Sequence, residues 1–370
     1  MKGVWGKILK KFPPKQTMSY FTERDEKNIQ KAREIIATLP YFAGEFFVGI
    51  AMRTSPLTRL NYAGDVRIFF HFLSTAKYKN RIPIDEITLK DIENLEAYDI
   101  ELYLEYLNSY TYDNRKLKCG QAAKERKLCA LRTFFKYFFR KDKLTKNITT
   151  KVDLPKVNQK PIVRLEIDEV VKVLDGCESG IPVASKRQKT FNENTQARDL
   201  AILTLMLGTG IRISECIGLD KKDIDLNNNS FIVTRKGGDR VILYFSDEVR
   251  ATLKDYLMWL DIQKKEQTKF GLALKDNNAL FVSSIGNRIS IRALQNIVSK
   301  YASHAAPLKK ISPHKLRSTY GTNLYRETQD IYVVADVLGH KDVNTTKKHY
   351  ADMSDEIRRA SSKSVKLREK

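Results

Sequence analysis

Six residues in the second half of the chain are of types suited to phosphate chemistry, and each stands beside a residue that would orient it. In LGTGIRISECIGL an apolar run ends at Gly208-Thr209-Gly210, and a new helix is expected to begin near Arg212. Glycine permits the left-handed backbone that turns a chain sharply at a helix end, so Arg212 is expected at a helix N-terminus, where dipole and guanidinium together suit a phosphate. The plainer reading is a surface arginine paired with Glu215. In TRKGGDR, Lys236 lies beside a Gly-Gly or Gly-Asp turn, where an ammonium can contact a phosphate or deliver a proton, although basic hairpin tips are common. In SPHKLRSTYGTNLYR, Ser312 and Pro313 mark a helix start and set His314 and Arg317 on one face. Those two can meet one phosphate, yet basic residues in a first helical turn are ordinary. Gly339 ends the apolar helix of IYVVADVLGH, with His340 just beyond it, and Asn344 or Thr345 can cap a further helix carrying Tyr350. Taken alone, Tyr350 is one of 17 tyrosines, half-buried on an amphipathic helix. It does not stand alone, because all six residues follow one another in an ordered set.

The elements that must position them are a mixed α and β second half. Phe231–Thr234 and Val241–Phe245 flank the glycine turn as a hairpin, and residues 277–281 lead to a helix over Ser290–Ser303. The first half reads as helix after helix. Glu23–Thr38 is charged and periodic, and Pro56–Ser74 sets Leu60, Val66, Phe69, Phe70 and Leu73 on one apolar face. Thr88–Ser109 is read as one helix capped at Thr88, with Asp91 in the capping-box position. Ala122–Phe139 carries aromatics on one stripe and lysines and arginines on the other, a face that either meets solvent or touches DNA. Between Lys141 and Val163 the periodicity is lost and lysine, asparagine, threonine and two prolines accumulate, as in a linker.

A length of 370 residues favours two domains, and an excess of 66 Lys and Arg over 44 Asp and Glu, net +22, points to a polyanionic partner, nucleic acid before membrane. The longest uncharged apolar run, Leu200–Ile211, is well short of the roughly 20 residues of a membrane span. The N-terminus has no signal-peptide pattern, so a cytoplasmic protein is expected. Cys119, Cys129, Cys177 and Cys216 lack zinc-site spacing and are expected to be reduced thiols.

GTGIRISE, the RKGG hairpin, PHKLR, LGH and the closing Tyr350 resemble the catalytic motifs of the tyrosine recombinase (phage integrase) family over roughly 164–353. VTRKGGDR, PHKLRSTYGTNLY and the length of the first half resemble most its single-protein Xer members of the XerS type. Tyr350 follows His340 by ten positions where many members have nine, and Ser318 follows Arg317 where a histidine is frequent.

The resemblance implies a mainly α fold with a small β-sheet or hairpin in the C-terminal domain, arranged as a two-domain, C-shaped DNA clamp. The parts would be an N-terminal extension (1–38), a helical, SAM-like core-binding domain (39–145), a linker (146–163), the catalytic domain (164–353) and a tail (354–370). It implies that Tyr350 attacks DNA to form a 3′-phosphotyrosyl intermediate on the way to a Holliday junction. Arg212 and Arg317 would clamp the phosphate, His340 would donate a hydrogen bond, His314 would take the tyrosine proton and Lys236 would protonate the 5′ oxygen. Glu215 would support Arg212 or His314. No cofactor or metal is implied, and the partners would be double-stranded DNA recombination sites, bound by a homotetramer that exchanges C-terminal tails, with no membrane. The competing expectations are a type IB topoisomerase and a catalytically silent DNA-binding protein.

Overall fold

The computed structural model describes residues 19–156, 163–182, 185–235, 238–266, 268, 274–275, 278–339 and 343. Two compact units divide the chain, Met1–Gln159 and Lys160–Lys370, and both are mainly α-helical with small antiparallel sheets.

The first unit contains α1 (Tyr20–Ile36), α2 (Ala43–Gly49), α3 (Pro56–Phe72), α4 (Leu89–Glu93), α5 (Ala97–Tyr106) and α6 (Gln121–Phe139). Ser55 caps α3 by accepting from Thr58 N–H at 3.2 Å, Pro56 takes the first helical position, and a π-helical turn over Leu73–Lys77 ends the run. Val66, Phe69, Phe70 and Leu73 are fully buried, as the apolar periodicity of this segment requires. Among them, Phe69 and Phe70 meet Phe135 and Phe134 of α6 in edge-to-face contacts, at 6.1 and 6.0 Å. α1 packs along α3 and buries Ala32.

Two expectations for this half are corrected. Thr88–Ser109 is two helices, because Thr88 and Asp91 form one capping box and Glu96 and Asp99 form a second that starts α5. The half is also not wholly helical: β1 (Tyr110–Tyr112) and β2 (Arg115–Leu117) pair as a hairpin through Asp113 and Asn114, both at positive φ.

The second unit comprises α7 (Ile167–Glu178), α8 (Lys186–Thr209), α9 (Ile213–Gly218), β3 (Ile224–Asp225), β4 (Ser230–Thr234), β5 (Arg240–Tyr244), α10 (Asp247–Lys265), α11 (Ile291–Ala305), α12 (Pro313–Thr328) and α13 (Ile331–Leu338). The strands form one antiparallel sheet in the order β3-β4-β5, with Val233 opposite Val241 and Thr234 opposite Arg240. The apolar end of α8 buries Ile202, Leu203, Leu205 and Met206 and packs against α10 and α12. Charge is buried here as well. Arg198 donates twice to Asp199 Oδ1, at 3.0 and 2.6 Å, while Tyr301 and Lys300 donate to Asp199 Oδ2 at 3.3 and 3.5 Å, so the carboxylate is fully partnered. No described helix is long and apolar enough to cross a membrane.

Cys177 and Cys216 are buried, Cys119 is half-buried and Cys129 exposed, and all four are free thiols. Burial pushes the Cys177 thiol up to about 12, which keeps it protonated and unreactive at neutral pH.

Candidate active site

The corner between α8 and α9 is built from glycine. Gly210 ends α8 in the left-handed conformation (φ 61°), its N–H donating to Met206 O at 3.1 Å, and a Cβ there would collide with the Tyr320 ring and press on Leu338 at 2.9 Å. Only a residue without a side chain allows the chain to reverse this close to α12 and α13. Two residues later Arg212 occupies the cap position of α9. Glu215 folds back on it: Oε2 accepts Arg212 N–H at 3.0 Å and Oε1 accepts Nη1 at 2.8 Å. Glu215 is buried, whereas a third of the Arg212 side chain is exposed. Arg212 is indeed paired with Glu215, but the pair is set into the protein and the arginine faces out of it. The positive end of α9 is already answered by a carboxylate, leaving the guanidinium as the group available to an anion.

Arg212 Nη2 also donates to Gly339 O at 3.1 Å. Arg317 approaches the same corner from the first turn of α12, where it is buried and donates from Nη1 to Gly210 O at 2.7 Å and from Nη2 to Leu338 O. Two guanidiniums from different helices therefore converge on one backbone corner, Gly210 on one side and Leu338-Gly339 on the other. Gly339 is itself left-handed (φ 62°) and ends α13, as its place in the sequence predicts. Burial raises the Tyr320 hydroxyl above its ordinary value, so the ring that covers Gly210 stays neutral.

His314 is exposed in the first turn of α12, and its carbonyl accepts the Ser318 hydroxyl at 3.1 Å. Pro313 takes the first helical position; the Ser312 side chain makes no cap hydrogen bond, so proline and backbone geometry start this helix. Lys236, His340 and Tyr350 lie outside the described residues. Arg235, which sequence reasoning did not single out, is described, and its guanidinium reaches the end of α13: Nη2 donates to Val337 O at 2.9 Å and Nη1 to Asp336 O at 3.5 Å. The one signal for it in the sequence is a second cation directly before Lys236 in a hairpin. Among the described residues no group of three or more His, Cys, Asp or Glu is placed to hold a metal ion.

The profile described as "Phage integrase family" matches residues 164–356. A curated relative, tyrosine recombinase XerC of Caldanaerobacter subterraneus subsp. tengcongensis, is 33% identical over 300 residues, 79% of this chain and 77% of its own. Tyrosine recombinase XerS of Streptococcus thermophilus is 29% identical over 355 residues, 90% of this chain and 97% of its own. Among solved structures, the XerH site-specific recombinase bound to its palindromic difH substrate, a post-cleavage complex, superposes with a TM-score of 0.62 at 20% identity, covering 83% of this chain and 80% of that one. The Tn1549 transposon integrase in complex with a circular intermediate DNA gives a TM-score of 0.58 at 17% identity, over 87% and 99%. These structural likenesses speak for the fold.

Proposed function

This chain belongs to the phage integrase family and is a tyrosine site-specific recombinase, and from that premise we propose that Tyr350 is the nucleophile with which it cuts and rejoins DNA. In the first step the Tyr350 oxygen attacks phosphorus in line, the Tyr–O–P bond forms and the P–O5′ bond breaks. His314 takes the tyrosine proton, and Lys236 protonates the departing 5′ oxygen, which would otherwise leave as a strongly basic alkoxide. Arg212 and Arg317 bind the nonbridging oxygens as charge develops there, with His340 donating a further hydrogen bond. Glu215 holds Arg212 in position. The phosphotyrosine keeps the energy of the broken bond, so a 5′ hydroxyl from a second duplex reverses the step and a Holliday junction results.

The observation that carries this reading is the convergence of Arg212 and Arg317 on adjacent carbonyls, Gly339 and Leu338, at the point where the chain runs on into His340. A type IB topoisomerase uses similar groups, but the named relatives are recombinases, and that alternative is not favoured.

In this reading residues 39–145 form a SAM-like core-binding domain after an extension over 1–38, residues 146–163 a linker, and residues 164–353 the catalytic domain. The tail, 354–370, passes to a neighbouring protomer, so that a homotetramer joins two double-stranded DNA sites. The protein acts on DNA in the bacterial cytoplasm and nucleoid, in chromosome dimer resolution or in the integration or excision of a mobile element.

The test is a trapping assay. Wild type and Tyr350→Phe are incubated with nicked duplexes from the source DNA, and a denaturing gel is read for protein joined to a 3′ end. An adduct lost in the phenylalanine variant supports the nucleophile. Binding by both proteins with an adduct from neither would return the chain to the reading of a silent DNA-binding protein.

A further inference from the structure

Arg235 follows β4, and its main chain closes the turn that carries Lys236: Arg235 N–H donates to Asp239 O at 2.8 Å and Gly238 N–H to Arg235 O at 3.1 Å. Its side chain is committed elsewhere, on the carbonyls of Asp336 and Val337 in the last turn of α13. The guanidinium lies against Gly339, where a Cβ would collide with Nη1 and Cζ, so Gly339 is small for this contact as well as left-handed. Arg235 Nε is buried and has no hydrogen-bond partner among the described residues, a desolvation cost that the bonds from the same group to the helix end must offset. A hairpin tip with no need of a fixed position gains nothing from such a contact.

With Arg212 on Gly339 O and Arg317 on Leu338 O, the four successive carbonyls of residues 336–339 are each held by an arginine, and the three arginines come from the hairpin, the α8–α9 corner and α12. Cations at a helix C-terminus are favourable in any case, since its carbonyls carry partial negative charge. Here they also tie together three segments that are distant in sequence.

We propose that Arg235 is a positioning residue for strand cleavage, bracing the turn that bears Lys236 against the helix end that leads into His340. Arg235 and the two phosphate-binding arginines then share one frame, the carbonyls of residues 336–339. This inference rests on the reading of Lys236 as the acid for the departing 5′ oxygen.

A sulfur in place of that oxygen separates the possibilities, because a thiolate leaves without needing a proton. Single-turnover adduct formation is measured for wild type, Arg235→Ala, Arg235→Lys and Lys236→Ala on matched nicked duplexes with a 5′-bridging oxygen or sulfur, with duplex affinity measured by anisotropy. Arg235→Ala is expected to be slowed about 10- to 100-fold on oxygen and to recover to within about threefold of wild type on sulfur, following Lys236→Ala in direction. Arg235→Lys, which keeps a cation at the helix end but not the fork, is expected to fall between wild type and Arg235→Ala on oxygen. Duplex affinity should change little. If sulfur rescues Lys236→Ala while Arg235→Ala stays equally slow on both substrates, Arg235 is a general structural support and the proposal is overturned with the acid assignment intact. Wild-type rates for Arg235→Ala on oxygen overturn it too. If sulfur rescues neither variant, the assignment of Lys236 as acid fails, and the inference falls with it.

Discussion

Arg317 is 5% exposed and donates to Gly210 O and Leu338 O, so its guanidinium is a structural part of the corner as well as a proposed phosphate ligand. Removing it leaves two carbonyls of a buried corner without their donor, each costing about 1–3 kcal/mol. Arg317→Ala is therefore expected to lower unfolding free energy by about 2–6 kcal/mol in a urea titration. It should also slow adduct formation by about 10²–10³-fold at concentrations where the variant remains folded, the usual consequence of losing one donor to a developing oxyanion. Loss of stability with an unchanged rate would leave Arg317 with the first role alone. Glu215 illustrates the same economy of placement: one buried carboxylate caps α9 and holds the side chain of Arg212.

Among the elements, the α8–α9 corner depends on the absence of a side chain at Gly210. Gly210→Ala would place a methyl group at φ 61° against Tyr320 and Leu338. Left-handed strain of about 1–2 kcal/mol and overpacking of about 1–3 kcal/mol act together there. The expected outcome is a thermal midpoint several degrees below wild type, with adduct formation reduced because Arg212 and Arg317 both lean on this corner; a wild-type midpoint would contradict it. In the first unit, the end of α3 sets His71 against Tyr106 of α5, with Nδ1 and the hydroxyl 3.0 Å apart. Burial lowers the His71 pKa from its ordinary 6.5, so the folded state disfavours the proton that the unfolded chain accepts. The contribution is thus fully present above pH 6.5 and is lost as pH falls through the lower folded value. Urea midpoints for wild type should drop more steeply than those of His71→Gln as pH is lowered from about 7.5 to 5.5, and parallel curves would rule the effect out.

For the whole molecule the net charge of +22 is the dominant electrostatic fact. Each phosphate neutralised by lysine or arginine releases condensed counterions, so affinity should fall linearly on a log–log plot against salt. A footprint of about six to ten phosphates predicts a loss of about 10³–10⁵ in affinity between about 50 and 200 mM salt. Anisotropy titrations with Tyr350→Phe measure this without cleavage. A slope near zero would mean that the basic excess does not face the DNA. Not all of that excess is available to a partner. On α6, Lys127 donates to the buried Asp65 at 2.8 Å, Arg126 pairs with the same carboxylate, Lys124 donates to Asn108 at 2.6 Å, and Arg132 donates to Val152 O at 2.6 Å.

Much of the site's punctuation was legible in the sequence. Gly210 and Gly339 as helix ends, Pro313 as a helix start, the strands around the Lys236 turn and the cap of Thr88 with Asp91 all follow from backbone preferences and neighbours three or four residues away. The β1–β2 hairpin had a readable Asp-Asn turn, hidden among helical patterns. Legibility ended where a side chain's partner lies far along the chain. Arg212 finds Gly339 127 residues away and Arg235 finds Val337 102 residues away, and Lys127 of the basic stripe of α6 turns inward to Asp65. Local order determines where a helix begins and ends, because caps and turns are satisfied within a few residues. Which charges leave water, and on which carbonyls they come to rest, is decided by packing, because desolvation depends on everything that closes around a group.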